Sequence, residues 1–302
     1  MKSLHKISVV TITYGHEKFI VQTLDGILMQ NYSGEIELII ANDHSPDATD
    51  HVIKEYLEVQ NIPTNFTIKY TKHEKNKGMM PNSIWALEQA SGKYIALCEG
   101  DDYWTDPLKL QKQVDFLEEN REYVACFHKY KELENNTFRD KILPLINDDF
   151  VITKSNFFDN WYTKTLTVII RRENYQSINL SKYINIRDTV IFYELLKLGN
   201  AMCLNFIGGT YRIHEGGVWS QQNDKLKTMA SYFFLEEMFA YNCGDLKLKK
   251  LTLYRLNAII PDRSLSTYYR LLKNSKTNHF KIYIIKNFIE HFYRKLKSKT
   301  VQ

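Results

Sequence analysis

The sequence predicts an α/β fold with a mostly parallel, Rossmann-like sheet flanked by helices, followed by a helical C-terminal region. In the first 130 residues, short β-rich runs alternate with longer segments that carry apolar residues at helical spacing. Several of the β-rich runs are almost continuously apolar, as expected for parallel strands covered on both faces. Polar residues follow these strands directly, and ligands of such sheets bind beyond the carboxyl ends of the strands. A functional site is therefore expected among those polar residues.

The composition is that of a globular protein with its own core. The chain has 302 residues, 44% of them hydrophobic and 25% charged, with a net charge of +5, which suits one large domain or one domain with a helical appendage. No run of 18 or so apolar residues occurs, so no membrane-spanning helix is predicted. The short basic start leads into an apolar run that suits a strand better than a signal peptide. The four cysteines form no CxxC pair, which argues against a zinc knuckle or a disulfide framework and favours a reducing cytoplasm.

Individual elements follow from the spacing of apolar residues. The first four strands are predicted at Lys6–Thr13, Glu35–Ala41, Phe66–Tyr70 and Lys93–Cys98. The helices between them are predicted at Glu17–Gln30, Asp47–Val59 and Pro81–Ala90. Further on, residues 131–150 are polar and predicted as loop, and the following elements are a strand at Thr163–Arg171, a helix at Asp188–Leu198 and a short strand at Met202–Ile207. From Ser220 onward the pattern is helical.

An acidic cluster follows the fourth strand. Glu99, Asp101 and Asp102 bring three carboxylates into four residues, on a turn that contains Gly100. Such carboxylates repel each other unless a cation lies among them, and oxygen ligands suit Mg²⁺ or Mn²⁺ together with substrate phosphates. The alternative is a helix N-terminus that carries acids for its dipole. Since Asp106 and the proline after it look like the true start of the next helix, the pattern favours a site for a metal and a diphosphate.

The stretch from Val9 to Glu118 resembles the nucleotide-sugar-binding half of the family 2 glycosyltransferases, which have the GT-A fold. The matching segments, in order, are VVTITYGHEKFIVQTLDGILMQ, ELIIANDHSPDATD and NKGMMPNSIWALEQASGKYIALCEGDDYWTDPLKLQKQVDFLE. A later segment, YRIHEGGVWS at Tyr211–Ser220, is similar to one that many bacterial members carry. The resemblance implies a GT-A domain over 1–219, with a nucleotide-sugar-binding half at 1–130 and an acceptor and catalytic half at 131–219, and then a helical region at 220–302.

The function that this resemblance implies is the inverting transfer of a sugar from a nucleotide-sugar, with UDP as the expected nucleotide. The acceptor would be a hydroxyl group of a glycan or lipid-linked glycan in the synthesis of bacterial surface polysaccharide. The QxxRW motif and membrane helices of processive synthases are not found in the sequence. A non-processive enzyme in the cytoplasm, at the inner face of the membrane, is therefore expected, and no nucleic-acid partner.

The resemblance also assigns residues to the nucleotide. Asp43 stands where the family contacts the base, and a carboxylate that accepts from a ring N–H explains a preference for uracil or thymine. Thr13 and Tyr14 would line the base pocket, and Lys75 and Asn76, on the loop after the third strand, would touch the nucleotide. The alternative for Asp43 is a role within a local Asx turn, which can coexist with the first.

The family's DxD-type motif falls on Glu99, Asp101 and Asp102. Asp101 and Asp102 would contact the ribose and the metal, whereas Glu99 stands where aspartate is commoner. His214, within YRIHEGG, lies where some relatives supply an imidazole to the same cation, Mn²⁺ or Mg²⁺; the alternative is a histidine that only makes structural hydrogen bonds. The metal would neutralise the charge that builds on the nucleoside diphosphate as the sugar leaves.

The predicted general base is Asp188. Inverting transfer needs a base to take the proton of the attacking hydroxyl, and the family's base is an aspartate that opens a helix, as Asp188 does in INIRDTVIFYELLKLG. Arg187 precedes it where glutamate is usual. The alternative is a helix N-cap.

The C-terminal tail is basic and amphipathic. In Lys281–Lys299 one helical face carries Ile282, Ile285, Ile289, Phe292 and Leu296, and lysines and arginines lie elsewhere. This pattern fits a helix on an anionic membrane surface, or equally a helix packed against its own domain or a partner subunit. Trp161 and Trp219 are the candidates for stacking on an acceptor sugar.

Two other classes of function stay open on the sequence alone. Nucleotidyltransferases also combine a parallel sheet with an acidic metal site, although TYGHEKF lacks the glycine-rich, arginine-containing phosphate loop that they usually carry. A protein that binds sugar nucleotides without glycosyl transfer is the second alternative, and the presence of both the acidic cluster and Asp188 argues against it.

Overall fold

The structure, a computed structural model, describes residues 4–159, 163–216, 224–262 and 264–299, and the side chains of 262 and 293–299 lie outside this description. The chain forms two compact units. The first comprises Met1–Asn179 and Arg187–Gly216, and the second comprises Leu180–Ile186 and Gly217–Gln302.

Within the described residues, the first unit contains one ten-stranded sheet. Its strands are β1 (Ile7–Thr13), β2 (Ile36–Asn42), β3 (Phe66–Lys72), β4 (Tyr94–Leu97), β5 (Tyr103–Trp104), β6 (Tyr123–Glu134), β7 (Thr137–Leu143), β8 (Phe150–Ile152), β9 (Ile169–Arg171) and β10 (Asn200–Ile213). The order is β3-β2-β1-β4-β9-β6-β10-β5, with β7 on β6 and β8 on β10. Strands β1 to β4 are mutually parallel, and β9 pairs antiparallel with both β4 and β6. Since β10 is parallel to β6, six strands run in one direction, and the predicted mostly parallel sheet is confirmed.

Helices cover this sheet because their apolar faces complete the core. They are α1 (Ile20–Leu28), α2 (Thr49–Val59), α3 (Met79–Glu88), α4 (Lys109–Glu119), α5 (Arg172–Ser177) and α6 (Asp188–Leu195). Helix α1 buries Ile20, Leu24 and Ile27 at helical spacing. Its Gly26 lies against β5, where a Cβ would come within 2.7 Å of the Trp104 carbonyl oxygen. This close approach fixes the end of the acidic turn against the helix.

The second half of the sheet differs from the sequence predictions. The predicted loop at 131–150 is wrong, because it contains the end of β6, all of β7 and the start of β8. Strand β7 is exposed along most of its length, so it lacks the apolar pattern by which buried strands are recognised. Strand β10 is more than twice as long as predicted, and its register against β6 shifts three times, which interrupts the alternation of buried and exposed side chains. In the predicted strand Thr163–Arg171, residues Thr165–Thr167 form a 3₁₀ turn and only Ile169–Arg171 pair as a strand.

The second unit is helical, as predicted. It contains α7 (Asp224–Tyr241), α8 (Leu246–Ile259), α9 (Leu265–Asn274) and α10 (Asn278–Lys299). Two adjacent buried carboxylates of α7 accept backbone N–H groups of neighbouring segments: Glu236 from Lys276 and Thr277, and Glu237 from Ile184 and Asn185. Among the described helices, none combines the length and the apolar character needed to cross a bilayer.

A buried carboxylate ties the first two strands to the loop before β4. Glu37 of β2 accepts the hydroxyl protons of Ser8, at 2.6 Å, and Ser91, at 2.9 Å, and forms ion pairs with Lys69 and Lys6 at 2.6 and 3.2 Å. Burial alone would raise the pKa of Glu37, but these hydrogen bonds lower it to about 2.

We expect Glu37→Gln to lower the free energy of unfolding by about 2 kcal/mol at pH 7, because buried donors lose a charged acceptor. A carboxyl whose pKa is depressed on folding stabilises the protein above its unfolded pKa, and this contribution is lost as the pH falls through the folded value. The difference from the wild type should therefore shrink between about pH 4.5 and pH 2. Chemical denaturation across this range measures it, with the exposed Glu58→Gln of α2 as control. A difference independent of pH would contradict the role given to the Glu37 charge.

Candidate active site

The candidate site lies at the carboxyl edge of the sheet, where the chain leaves β4 and crosses to β5. Strand β5 pairs with β10, through Tyr103 opposite Thr210 and Trp104 opposite Gly209, so the turn 98–102 spans the sheet from β4 to β10. Because β1, β4 and β10 run in the same direction, the residues that follow their last positions meet at this edge. Thr13, the acidic cluster and His214 all lie there.

Backbone contacts hold the acidic turn against the end of β1. The Gly100 N–H donates to the Ile12 carbonyl at 2.9 Å, and the Thr23 hydroxyl donates to the Asp102 carbonyl at 2.6 Å. A Cβ on Gly100 would lie 2.7 Å from the Thr13 hydroxyl oxygen and 2.9 Å from His16 Nδ1. Only glycine therefore lets the turn approach the strand end so closely.

The three carboxylates of this turn converge. Glu99, Asp101 and Asp102 each present an oxygen within 4.8 Å of the others. Burial, together with the charges of Asp101 and Asp188, raises the pKa of Glu99 to about 8, and burial with the charges of Asp101 and Glu99 raises the pKa of Asp102 well above its ordinary value. Without a cation, the turn therefore does not keep all three charges.

Asp102 is nearly fully buried and only half satisfied. Its Oδ1 accepts the Arg212 backbone N–H at 2.8 Å. Its Oδ2 is buried and has no hydrogen-bond partner among the described residues, which is costly for a polar atom. A cation at the cluster would supply the missing partner.

Two imidazoles face Asp101. His214 Nε2 lies 3.1 Å and His16 Nε2 lies 3.7 Å from the same atom, Asp101 Oδ2. Burial would raise the pKa of Asp101, but the hydrogen bond with His214 and the charge of His16 hold it below its ordinary value. Burial lowers the pKa of His16, and the charge of Asp101 opposes this shift. The structure thus brings the sequence-predicted His214 to the acidic cluster, together with His16, which sequence analysis missed although it stands three residues after Thr13.

Arg212 is a second residue that the sequence did not single out. Its guanidinium donates to the Asp101 carbonyl and to Gln22 Oε1. Its Cζ also lies 4.5 Å from the centre of the Tyr103 ring and 5.0 Å from that of Phe19, within the range of cation–π attraction. Arg212 therefore connects α1, the acidic turn and β10. The sequence shows only a single arginine within a strand, which does not indicate this role.

At the opposite end of the cluster, Glu99 lies near Lys164 and near a fourth carboxylate, that of Asp188. Glu99 accepts a hydrogen bond from Thr165, and the Lys164 charge opposes the rise of its pKa. Lys164 Nζ also lies 3.9 Å from the centre of the Tyr211 ring. Asp188 is close enough for its charge to raise the pKa of Glu99, so the predicted base lies near the cluster.

Asp188 itself is the first residue of α6, and Arg187 holds the N-cap position. Asp188 Oδ1 accepts both the N–H of Thr189, at 2.7 Å, and its hydroxyl proton, at 3.2 Å. The carboxylate is therefore oriented by the residue that follows it.

The residues assigned to the nucleotide lie on neighbouring strand ends and loops. Thr13 is buried at the end of β1, Tyr14 beside it is half exposed, and Lys75 and Asn76 are exposed on the loop after β3. Asp43, 2% exposed, follows β2, and its backbone N–H donates to the Thr13 carbonyl at 2.9 Å.

The Asp43 carboxylate holds the loop before α3. It accepts the backbone N–H groups of Lys77, at 2.7 Å, and Gly78, at 2.9 Å. The local turn after β2 is closed by Asn42, whose side chain accepts the Ser45 N–H at 2.9 Å. Each carboxylate oxygen keeps a second lone pair that can accept from a ligand.

The residues present fit a divalent cation. Carboxylate oxygens with an imidazole form a ligand set that suits Mn²⁺, and the carboxylates alone suit Mg²⁺. Trp161 and Trp219, predicted to stack on an acceptor sugar, lie outside the described residues, as does Gly217 after the His214 segment.

Sequence comparison gives a family match over most of the chain. A model of the family described as Glycosyl transferase family 2 matches residues 8–187. An uncharacterised protein of Mycobacterium tuberculosis is 33% identical over 228 residues, which are 73% of this chain and 63% of that protein; the match thus spans less than two thirds of the relative. WfaP of Escherichia coli, a UDP-Glc:α-D-GlcNAc-diphosphoundecaprenol β-1,3-glucosyltransferase, is 27% identical over 70% of this chain and 79% of its own.

Solved structures resemble the chain along nearly its whole length. TarS of S. aureus, residues 1–349 in complex with UDP-GlcNAc, superposes with a TM-score of 0.61 at 18% identity and covers 96% of this chain and 92% of its own. The mannosyltransferase PcManGT of Pyrobaculum calidifontis, in complex with GDP-Man and Mn²⁺, superposes with a TM-score of 0.57 at 13% identity and covers 97% and 89%. At these identities the likeness concerns the fold.

Proposed function

The chain belongs to glycosyl transferase family 2 and has the GT-A fold, and from that premise we propose that it is an inverting, metal-dependent glycosyltransferase that uses a UDP-sugar. The acceptor is a hydroxyl group of a glycan or lipid-linked glycan in bacterial surface polysaccharide synthesis. The convergence of three carboxylates and His214 at the carboxyl edge of the sheet carries this proposal. WfaP, whose name specifies UDP-Glc and a lipid diphosphate acceptor, supports the substrate classes.

Asp43, Thr13 and Tyr14 are the proposed contacts of the nucleotide base. The buried Asp43 carboxylate is fixed by two backbone N–H groups, and its remaining lone pairs can accept the ring N–H of uracil. Tyr14, 48% exposed at the neighbouring strand end, offers a ring face for stacking. Lys75 and Asn76 extend the site along the loop after β3.

Asp101, Asp102 and His214 are the proposed metal ligands, with Glu99 and Asp101 also in contact with the donor. The cation, Mn²⁺ or Mg²⁺, would neutralise the charge that develops on the diphosphate as the sugar leaves. Arg212 keeps Asp101 in place through its backbone carbonyl, so the ligand carboxylates are oriented before the donor binds.

Asp188 is the proposed general base. Thr189 fixes its Oδ1, and the other carboxylate oxygen is then oriented to take the proton of the attacking hydroxyl. The charge of Asp188 raises the pKa of Glu99, but Asp188 is not one of the three clustered carboxylates. A base needs this separation, because a carboxylate that binds the cation is a weak proton acceptor.

The metal assignment predicts that Asp101→Asn and Asp102→Asn each lower the affinity for Mn²⁺ at least about tenfold, because each removes a charged ligand. UDP should then bind these variants weakly even with Mn²⁺ present. Isothermal titration calorimetry of the full chain measures both. Asp106→Asn, in the segment between β5 and α4, is the matched control and should bind normally. Unchanged Mn²⁺ affinity in both cluster variants would remove these residues from the metal site.

The base assignment predicts that Asp188→Asn lowers kcat by about 10²- to 10⁴-fold and leaves the Kd for UDP and Mn²⁺ unchanged, because only proton transfer is lost. Sugar transfer and calorimetry provide the two readouts. Asp224→Asn changes an acid at the same first position of α7 and should retain full turnover. Near-normal turnover of Asp188→Asn would exclude Asp188 as the base and favour its helix-terminal role alone.

We further propose that α10 contacts an anionic membrane, which carries the lipid-linked acceptor at the inner face of the cell membrane. Ile282, Ile285 and Ile289 are exposed along one side of this helix, whereas Phe280 and Ile284 are buried. From Lys273 to Lys299 the chain has eight Lys and Arg and one acid, Glu290. Exposed apolar side chains among basic ones are typical of a helix at a lipid surface. The Phe292 ring packs on Phe288 at 4.5 Å, and the Leu296 side chain lies outside the described part.

This contact predicts that the full chain sediments with vesicles of phosphatidylcholine and phosphatidylglycerol. The combined change Ile282→Ser, Ile285→Ser and Ile289→Ser should weaken sedimentation at least about fivefold, because the apolar area is lost. The matched control replaces three exposed aliphatic side chains of the first unit by serine, Val59, Leu145 and Leu198. Full vesicle binding by the triple isoleucine variant would refute the contact, and a shift from dimer to monomer in that variant would assign the face to a second copy instead.

A further inference from the structure

We propose that His16 is a second imidazole ligand of the cation, and that the pair His16 and His214 makes the site prefer Mn²⁺ over Mg²⁺. The inference rests on the proposed function, in which the carboxylates of the acidic turn hold a divalent cation. It adds a ligand that follows β1, whereas His214 follows β10.

The two imidazoles are arranged around one carboxylate oxygen. Asp101 Oδ2 lies 3.1 Å from His214 Nε2 and 3.7 Å from His16 Nε2. Ligand bonds to such ions are about 2.0–2.2 Å, so neighbouring ligand atoms of an octahedral ion lie about 3 Å apart and opposite ones about 4.3 Å apart. The His214 distance matches that of neighbouring ligands, and the His16 distance is about 0.7 Å longer, so a small rotation of the His16 ring would bring its Nε2 to a neighbouring position. The rings are nearly perpendicular, with an interplanar angle of 82° and centres 6.2 Å apart, so they do not stack on each other.

The second ring nitrogen of His16 has a fixed partner. His16 Nδ1 lies 3.2 Å from the Thr13 hydroxyl oxygen, which is buried at the end of β1. When Nδ1–H donates to that oxygen, the lone pair of the ring is on Nε2, the atom that faces Asp101. Metal-binding histidines commonly have their other nitrogen held in this way, which fixes both the tautomer and the ring orientation.

The backbone of His16 is held before any ion binds. Its N–H donates to the Thr49 hydroxyl at 2.9 Å, and its carbonyl accepts the N–H groups of Phe19 and Ile20, both at 2.9 Å. Gly15 has a φ of +73°, a conformation that favours glycine, and it turns the chain from β1 toward the acidic cluster. These contacts place the imidazole with little freedom left to lose on binding.

A second observation indicates that the cluster takes an ion. Asp102 is 1% exposed, and its Oδ2 has no hydrogen-bond partner among the described residues. With this oxygen, the ligand atoms would be carboxylate oxygens and two imidazole nitrogens. Mg²⁺ prefers oxygen ligands only, whereas imidazole suits first-row transition ions. Each imidazole therefore shifts the preference toward Mn²⁺.

The test counts imidazoles directly on the wild-type full chain. Electron spin echo spectroscopy of bound Mn²⁺, on protein labelled with ¹⁵N in histidine, should show two coordinated imidazoles in the wild type. His16→Gln and His214→Gln should each show one. The wild-type count needs no substitution, so it decides the question even if a variant folds poorly.

Calorimetry provides a second readout with the metals alone. His16→Gln should raise the Kd for Mn²⁺ roughly tenfold and change the Kd for Mg²⁺ less than about twofold, whereas a merely structural role would change both Kd values equally. His51→Gln, exposed on α2, is the matched control. One imidazole in the wild type, or equal changes for both metals, would overturn the role of His16 and leave the cation site intact. No Mn²⁺ binding by the wild type would overturn the proposed metal-dependent function as well.

Discussion

The candidate site depends on the electrostatic repulsion between the three carboxylates of the acidic turn, which the neighbouring residues must offset. Glu99, Asp101 and Asp102 lie within 4.8 Å of each other at a largely buried position, where water screens their charges poorly. Such a cluster is tolerated if protons or cations reduce its charge, and the raised pKa values of Glu99 and Asp102 show the first of these outcomes. His214 stabilises the Asp101 carboxylate and the Arg212 backbone N–H stabilises that of Asp102, each only in part. A divalent ion would complete this compensation, and under the proposed function it would also bind the diphosphate of the donor.

Backbone packing, rather than any attraction between the acids, holds the three carboxylates close together. The turn must cross from β4 to β5, since β5 pairs with β10 at the far side of the sheet. Two glycines allow this crossing. Gly26 admits β5 against α1, and Gly100 admits the turn against Thr13. Hydrogen bonds from Thr23 and the Arg212 side chain then fix the turn's carbonyl groups. The free energy of packing an apolar core thereby supports an arrangement of charges that is unfavourable by itself.

Sequence reasoning predicted the parts of this arrangement that depend on local pattern. Strands β1, β2 and β4 are mainly apolar runs followed by polar residues, β3 alternates apolar and polar residues, and the acidic cluster is contiguous, so the sequence predicted all of them. The sequence did not predict the parts that depend on which strands pair with each other. Strand β5 has two residues, β7 is exposed, and β10 changes register three times, so none shows a clear period. His16 and Arg212 reach the cluster from separate strand ends, and their roles follow from which strands are neighbours. The role of Asp43 in holding Lys77 and Gly78 has the same origin.

The two ends of the acidic turn differ in charge because they face different neighbours. Asp101 lies beside two imidazoles, and its pKa is held below its ordinary value, whereas Glu99, two residues earlier, lies near Asp188 and has a pKa of about 8. Lys164, over the Tyr211 ring, offsets part of the negative charge at the Glu99 end. A cation would therefore be favoured beside Asp101, whereas a proton is favoured on Glu99. Under the proposed function, one turn of four residues would separate the place of the leaving diphosphate from the place where the acceptor loses its proton.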